Sequence, residues 1–594
     1  MKYIYYLPIL ILTIFLVSCE KYLDRKPLDA SAGSTFFTNQ EEMDQSLNGV
    51  YASTLWTFPN NTPLLFAIEA STDMAIRRDQ NAEDFIALGE GNFFNNNAIV
   101  ASSWSQAYRL IQRTNEHLRG MEKGKANVSA QYFARAKSEA LVLRAWGYFH
   151  LLYMFGDVPY YKVPPTIDEL LTAKRQSLRT IVADLYKDLD EATAGFDASS
   201  AQAILGNGRV NKAVGLGIKA KLALLIKDYP TAMAATNTII SSLNYRLNPN
   251  FQNLFTLAGQ VANTNREILF NQTYPTDVAA PENWMVWITV PRCITSSQSS
   301  HFPSQALVDR FEGNDGKRID VSAVYNPATP RLNRDNRLRW SIFMNDDTLL
   351  YNVQAGANGD YIQPKEKTIF NLYSTTRRRF NWRTGIFDNI VGGNTDWVGN
   401  SAAGIQWAVG AAGSRGGVGY IWRKYVDSTQ IHQLTKTGYI LMRYADILLM
   451  YAEAKIELNE IDASVLTAIN SVRIRSGQPA VVAGTQAEMR QIVRRERSVE
   501  FAGEGLRLFD LRRWDIYGAA NSSPIVGASI NGIVVPTTPT FDINDIPNYS
   551  SSISQRINFR NQIRNNTSSR FKLWPIPQLE MDINPALLPN NFGW

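Results

Sequence analysis

Apolar positions recur at steps of three and four along much of the chain, and the clearest run is QYFARAKSEALVLRAWGYFHLLYMFGDVPY, residues 131–160. Ala136, Ala140, Leu143, Gly147, Leu151 and Met154 share one stripe of a helix. Beyond Leu141 the other faces are apolar as well, except at Arg144 and His150. A helix apolar on most sides is buried on most sides. This is therefore predicted to be a central helix, whose small residues admit a neighbour closely. Gly156 supplies a left-handed stop and Pro159 prevents continuation.

The same pattern predicts further helices on both sides. Thr38 and Glu41 read as a capping box ahead of Met43, Leu47 and Tyr51. Helical periodicity continues at 101–118, 178–192, 211–228 and 231–242, the last two forming a hairpin broken at Pro230. Ala213, Gly217, Ala220 and Leu224 repeat the small-residue spacing by which helix–turn–helix repeats stack. From 245 to about 437 the pattern fades into aromatics set among Gly, Asn, Asp and Arg, a kind of segment that is usually functional in a compact protein. Helices resume at 439–458, where Arg443 stands three residues before Asp446 at ion-pair spacing. They continue at 462–476 and at 489–514, the latter opened by a Thr485–Glu488 capping box. Residues 573–594 read as an extended strap. The chain is thus predicted to be mainly α, with a helical region at 39–245, a long irregular, loop-rich insertion at 246–436, helices at 437–515 and a tail at 516–594.

Composition adds a large core, since 594 residues are 45% hydrophobic and only 19% charged. The 60 basic and 54 acidic residues give +6 with no long Lys/Arg run, which excludes a nucleic-acid footprint. Residues 1–18 carry Lys2 and an apolar run at 7–17 too short to span a bilayer, so they read as a secretory signal. The following LVSC resembles a bacterial lipobox and makes Cys19 the expected lipidation site, with 19–38 as a polar tether. Loss of Lys2 leaves 59 basic residues against 54 acidic ones, a net +5, and Cys293 has no partner for an intrachain disulfide. His117, His150, His301 and His432 lack metal-ligand spacing, and the Gly-rich 392–419 lacks a phosphate-loop signature, so neither metal nor cofactor is expected. A glycosidase would need two carboxylates about 5–10 Å apart. No motif singles out Asp309, Asp360, Asp388 or Asp396 for that role.

Eight motifs resemble the SusD/RagB-like outer-membrane lipoproteins of Bacteroidota. They are the lipobox, RAWGYFHLLYMFGDVPY (144–160), FPSQALVDRFEGNDGKR (302–318), NRDNRLRWSI (333–342), YIWRKYVD (420–427), YILMRYADILLMYAEA running on to INSVRIRSG (439–477), RRERSVEFAGEGLRLFDLRRW (494–514) and LWPIP (573–577). Asn336 stands where that family commonly has Pro, and the ending NNFGW differs from its usual finish. The resemblance implies four tetratricopeptide-like helical units as a scaffold, with loops forming a ligand face. It also implies a SusC-like TonB-dependent transporter as partner, covered as by a lid, and capture of oligosaccharide or, in some relatives, peptide.

Aromatic residues suit a sugar ring's C–H face. The expected platforms are Phe94, Trp284, Trp287, Trp340 and Trp382, with Asp73, Arg78 and Asn95 as hydrogen-bonding neighbours. Three platforms and a few hydrogen bonds at about 1 kcal/mol each total roughly 4–7 kcal/mol, a dissociation constant from about millimolar to about ten micromolar. Trp104, Trp146, Trp514 and Trp574 fall in helical or strap motifs and are expected to be structural. The arginines and glutamates of 494–504 read as paired charges that fix helix register. Arg331, Arg334, Arg337 and Arg339, with Arg377, Arg378, Arg379 and Arg383, either serve an acidic glycan, because guanidinium grips carboxylate or sulfate in a bidentate manner, or pair with loop acids or contact the transporter. An enzyme and a protein-binding helical scaffold are the competing classes. Shortened oligosaccharides would mark the first, and the absence of any glycan binding the second.

Overall fold

The computed structural model describes residues 36–58, 62–77, 83–196, 208–261, 266–274, 283–290, 300–351, 366–369, 373, 376–381, 384–391, 419–430, 435–557, 564–566 and 568–594. The expected signal peptide, Cys19, Arg78, Cys293 and Trp382 lie outside the described residues.

Among the described residues, six long helices build the first part of the chain, with shorter ones between them: α1 Gln40–Ala52, α2 Ala98–Lys123, α3 Ala130–Phe155, α4 Leu178–Gly195, α5 Lys212–Ile226 and α6 Tyr229–Ser242. Each packs on the next. Short polar side chains start them: Asn97, Ser129, Ser177, Asn211 and Asp228 each accept hydrogen bonds from first-turn N–H groups that have no partner within the helix. At α1 the cap is Asn39, which accepts from the Glu42 N–H at 3.0 Å, while Glu42 accepts from the Thr38 N–H. The expected Thr38–Glu41 box is thus shifted by one residue.

α3 is central, as the pattern predicts. Every residue from Ala140 to Phe155 is buried. A Cβ at Gly147 would come within 2.9 Å of Ile111, so only glycine allows α2 to lie this close. Arg144 survives inside by pairing with Asp188 at 2.6 Å and donating to Asn115 Oδ1 and the Lys162 carbonyl. Gly156 ends the helix at φ 72°.

After the insertion, α7 Tyr444–Glu457 packs on α6, about 200 residues earlier in the sequence, and carries the stack on to α8 Ala463–Arg475 and α9 Gln486–Glu500. The predicted helix of 489–514 is two: α9 ends at Glu500, the chain turns through Gly503 and Gly505 at φ 77° and 74°, and α10 runs Arg507–Arg513. The insertion is less irregular than its sequence suggests. It carries an antiparallel meander of Thr348–Tyr351, Glu366–Ile369, Thr376–Asn381 and Ile386–Val391. The tail closes over α3: the Trp574 N–H donates to the Met154 carbonyl at 2.8 Å, and the Asn591 amide donates to the Phe155 carbonyl. Trp104, Trp146, Trp514 and Trp574 are all buried.

The charges of α7–α9 form one buried network with the insertion. Arg443 donates to Glu267, Glu500 and Glu504, not to Asp446 as its spacing suggests. Asp446 takes Lys221 and Arg497 instead. Glu69 is also buried, accepting from the N–H groups of Gly503 and Gly505 at 3.3 Å, and burial pushes its carboxyl up to about 7. The stability tied to its neutral form is complete below its ordinary value of 4.5 and is lost as pH rises through about 7. Raising pH from about 5 to about 8 should therefore lower the melting temperature more in the wild type than in Glu69→Gln. Parallel pH profiles for the two proteins would show the carboxyl to be ionised throughout.

Candidate functional site

Two adjoining clefts open between the insertion and later parts of the chain, along the ridge 326–334. They share Arg331, Leu332 and Met344. The ridge is a succession of turns: the Ala328 N–H donates to Asn326 Oδ1 and the Leu332 N–H to the Thr329 carbonyl, and Asn333 takes the left-handed conformation at φ 55°. Arg334 clamps the ridge to the body, donating to the carbonyls of Val308, Phe311 and Pro330 at 2.6–2.8 Å.

The first cleft, about 430 Å³, is lined by Tyr325, Tyr373, Tyr420, Ile533 and Val534. Tyr420 is buried and donates to Gln305 Oε1 at 2.6 Å. Tyr373 is half-buried, lies against Gly532, where a Cβ would meet its ring at 3.3 Å, and donates to the Ser529 carbonyl at 3.2 Å. Tyr325 is half-buried beneath the Arg334 guanidinium, 5.0 Å from its ring. Ile533 and Val534 remain exposed at the mouth. Ring faces, apolar edges and hydroxyls thus stand together in a space of the size that small-molecule sites use.

The second cleft, about 740 Å³, is polar. Among the described residues its one large ring is Trp340, on the short helix Asn336–Ser341, half-buried and stacked on Phe251 with centroids 5.8 Å apart. Around it stand Gln252, Asn314, Gln478, Arg339 and Arg423. Asn336, at the first helical position, where proline would also fit, donates to the Ser476 carbonyl.

The expected site residues do not converge. Asp73 is a correction: it is 3% exposed and accepts from both Arg310 and Arg507, whose guanidiniums outweigh burial and hold its carboxyl well below the usual range. It ties the helix Gln305–Arg310 to α10 and has no face left for a ligand. Asn95 is tied to the tail, its amide donating to Gln578 Oε1 at 2.6 Å and its carbonyl accepting from the Gln578 N–H. Phe94, beside it, is 64% exposed. Trp284 and Trp287 form an edge-to-face pair at 4.9 Å, both half-buried, in the short helix region before Ser300. Among the described residues expected at the site, only Trp340 lies in one of the two clefts. Tyr325 was not singled out by sequence, although the turn-rich NPATPRLN that follows it marks a loop rim. Of the loop acids, Asp309 is buried and accepts from Tyr549 and Gln305, and Asp388 accepts from Asn381 on the meander.

The family model described as "SusD family" matches residues 266–594, more than half of the chain. The chain belongs to the SusD family. A second model, "Starch-binding associating with outer membrane", matches residues 21–217. SusD-like protein P2 of Formosa agariphila is 24% identical over 623 residues, covering 99% of each chain. Among solved structures, a SusD-like carbohydrate-binding protein from Bacteroides fragilis superposes with a TM-score of 0.73 at 24% identity, over 93% of this chain and 100% of its own. Surface glycan-binding protein A from Bacteroides thetaiotaomicron gives 0.61 at 17% identity, over 94% and 100%. The helical stack is accordingly the tetratricopeptide-like scaffold of this SusD family, and apart from Gln252 the residues lining the two clefts lie in the part of the chain that the SusD model spans.

Proposed function

We propose that this SusD-family protein is a non-enzymatic, cell-surface lipoprotein that captures oligosaccharide in the tyrosine cleft and delivers it to a SusC-like TonB-dependent transporter of the outer membrane. Cys19 holds it there through its lipid. The observation that carries the reading is the cleft where Tyr325 and Tyr373 stand beside exposed Ile533 and Val534, in a chain of this family. Phenol rings offer flat faces to a pyranose, while the polar ridge residue Thr329 and Asn345 line the same space and supply partners for its hydroxyls. Weak binding suits a protein that passes its ligand on.

Incubating the pure protein with oligosaccharides should show binding without shortened products. Tyr373→Ala should weaken that binding about tenfold, because one aromatic platform and its hydroxyl contribute roughly 1.4 kcal/mol. Loss of affinity in Trp284→Ala with none in Tyr373→Ala would move the site to the tryptophan pair. Binding of peptides in place of glycans would favour the RagB-like alternative, and shortened oligosaccharides would overturn the non-enzymatic reading.

A further inference from the structure

The sequence places four arginines at 331–339, and the tertiary structure gives them different tasks. Arg337 is fully buried and spent on Asp335, Glu496 and Glu500. Arg334 is spent on the ridge carbonyl of Pro330 and the body carbonyls of Val308 and Phe311. Arg331 pairs with Asp347 at 3.1 Å. Arg339 is exposed and has no carboxylate within ion-pair distance among the described residues. From a distant part of the chain, Arg423 joins it in the same cleft, half-buried over the Phe343 ring at 5.0 Å, and also without an ion pair among the described residues.

The cleft is therefore lined by the guanidiniums of Arg331, Arg334, Arg339 and Arg423 against the carboxylates of Asp335 and Asp347, and Asp335 already belongs to Arg337. Burial holds the Arg423 guanidinium below its ordinary range; Asp347 opposes this and Arg339 adds to it. A half-buried cation without an ion-pair partner is costly, and an anion between Arg339 and Arg423 would remove that cost. Trp340 offers a ring in the same space, and Asn314, Gln252 and Gln478 offer amides for hydroxyls.

We propose that this arginine cleft receives the carboxylate or sulfate of an acidic glycan, so that the captured ligand is a charged oligosaccharide lying across the ridge from the tyrosine cleft. The inference rests on the glycan reading and adds the ligand's charge to it. Guanidinium matches both carboxylate and sulfate through paired N–H donors. The uncharged part of the ligand would lie in the adjoining cleft.

The test uses the full mature protein on an array of neutral, uronic-acid and sulfated oligosaccharides, with hexagalacturonate and its methyl ester as a matched pair. The tightest ligands should be acidic, either the uronic-acid or the sulfated set identifying which anion is used. Their affinity should fall about tenfold in the Arg339→Gln, Arg423→Gln double variant and about threefold in Arg339→Gln alone, whose exposed side chain leaves folding untouched. It should also fall by about tenfold between roughly 0.02 and 0.5 M salt, as the Debye length shrinks from about 20 Å to about 4 Å. A neutral oligosaccharide as the tightest ligand, or acidic ligands bound equally by wild type and both variants, would overturn the inference and leave the glycan reading standing. Binding of no glycan at all would overturn both.

Discussion

Replacing Glu500 by alanine is expected to destabilise the fold by roughly 3–5 kcal/mol, the cost of leaving buried charges without their partner. Glu500 is the last residue of α9 and is fully buried. Its carboxylate accepts from Arg337 at 2.9 Å and Arg443 at 2.6 Å, and also from Arg475. These guanidiniums come from the insertion, the start of α7 and the end of α8, so one carboxylate joins three different segments of the chain. Burial alone would raise its pKa, but Arg475, Arg443 and Arg337 together hold it well below the ordinary 4.5. The stability it supplies is therefore present above about 4.5 and is lost as pH falls through its lowered value. The melting temperature of Glu500→Ala should lie far below that of the wild type at neutral pH, and the gap should narrow in acid. The control Glu41→Ala, an exposed first-turn position of α1, should be nearly silent. A Glu500→Ala protein that melts with the wild type would show that the network is dispensable.

The second large effect concerns the membrane. Cys19→Ala should move the protein from the outer-membrane fraction to the soluble one. A single acyl chain gives only marginal attachment, whereas several chains, at about 0.8 kcal/mol per buried CH₂, hold a lipoprotein firmly. Among the described residues no helix is long and apolar enough to cross a membrane. The measurement is fractionation of cells that lack the transporter, with labelled palmitate to follow acylation. Retention of the alanine variant in the membrane fraction, or labelling that persists in it, would remove Cys19 as the anchor.

What the sequence determined by itself is local. The stripe of Ala136, Ala140, Leu143 and Gly147, the stop at Gly156, and the box of Thr485 and Glu488 are set by contacts within one or two turns, and each appears where its spacing puts it. Even the error at α1 is local, because Thr38 and Asn39 are both capping residues and Glu42 competes with Glu41. The tertiary structure decided the rest, because a charge or ring acquires its role from neighbours remote in the chain. Arg443 has Asp446 three residues away and yet binds Glu267, Glu500 and Glu504. Asp73 looked like a loop ligand until Arg310 and Arg507 closed on it from more than 200 residues away. Trp340 keeps only part of its surface because Phe251 stacks on it, and no periodicity relates those two positions. Arg339 and Arg423 share a cleft although 84 positions separate them (423 less 339), and which arginines remained without carboxylates was settled only when Arg337 and Arg334 had been drawn into the core. Helix caps and stripes are short-range and can be read from sequence. Exposure and charge pairing are long-range, and the fold alone assigns them.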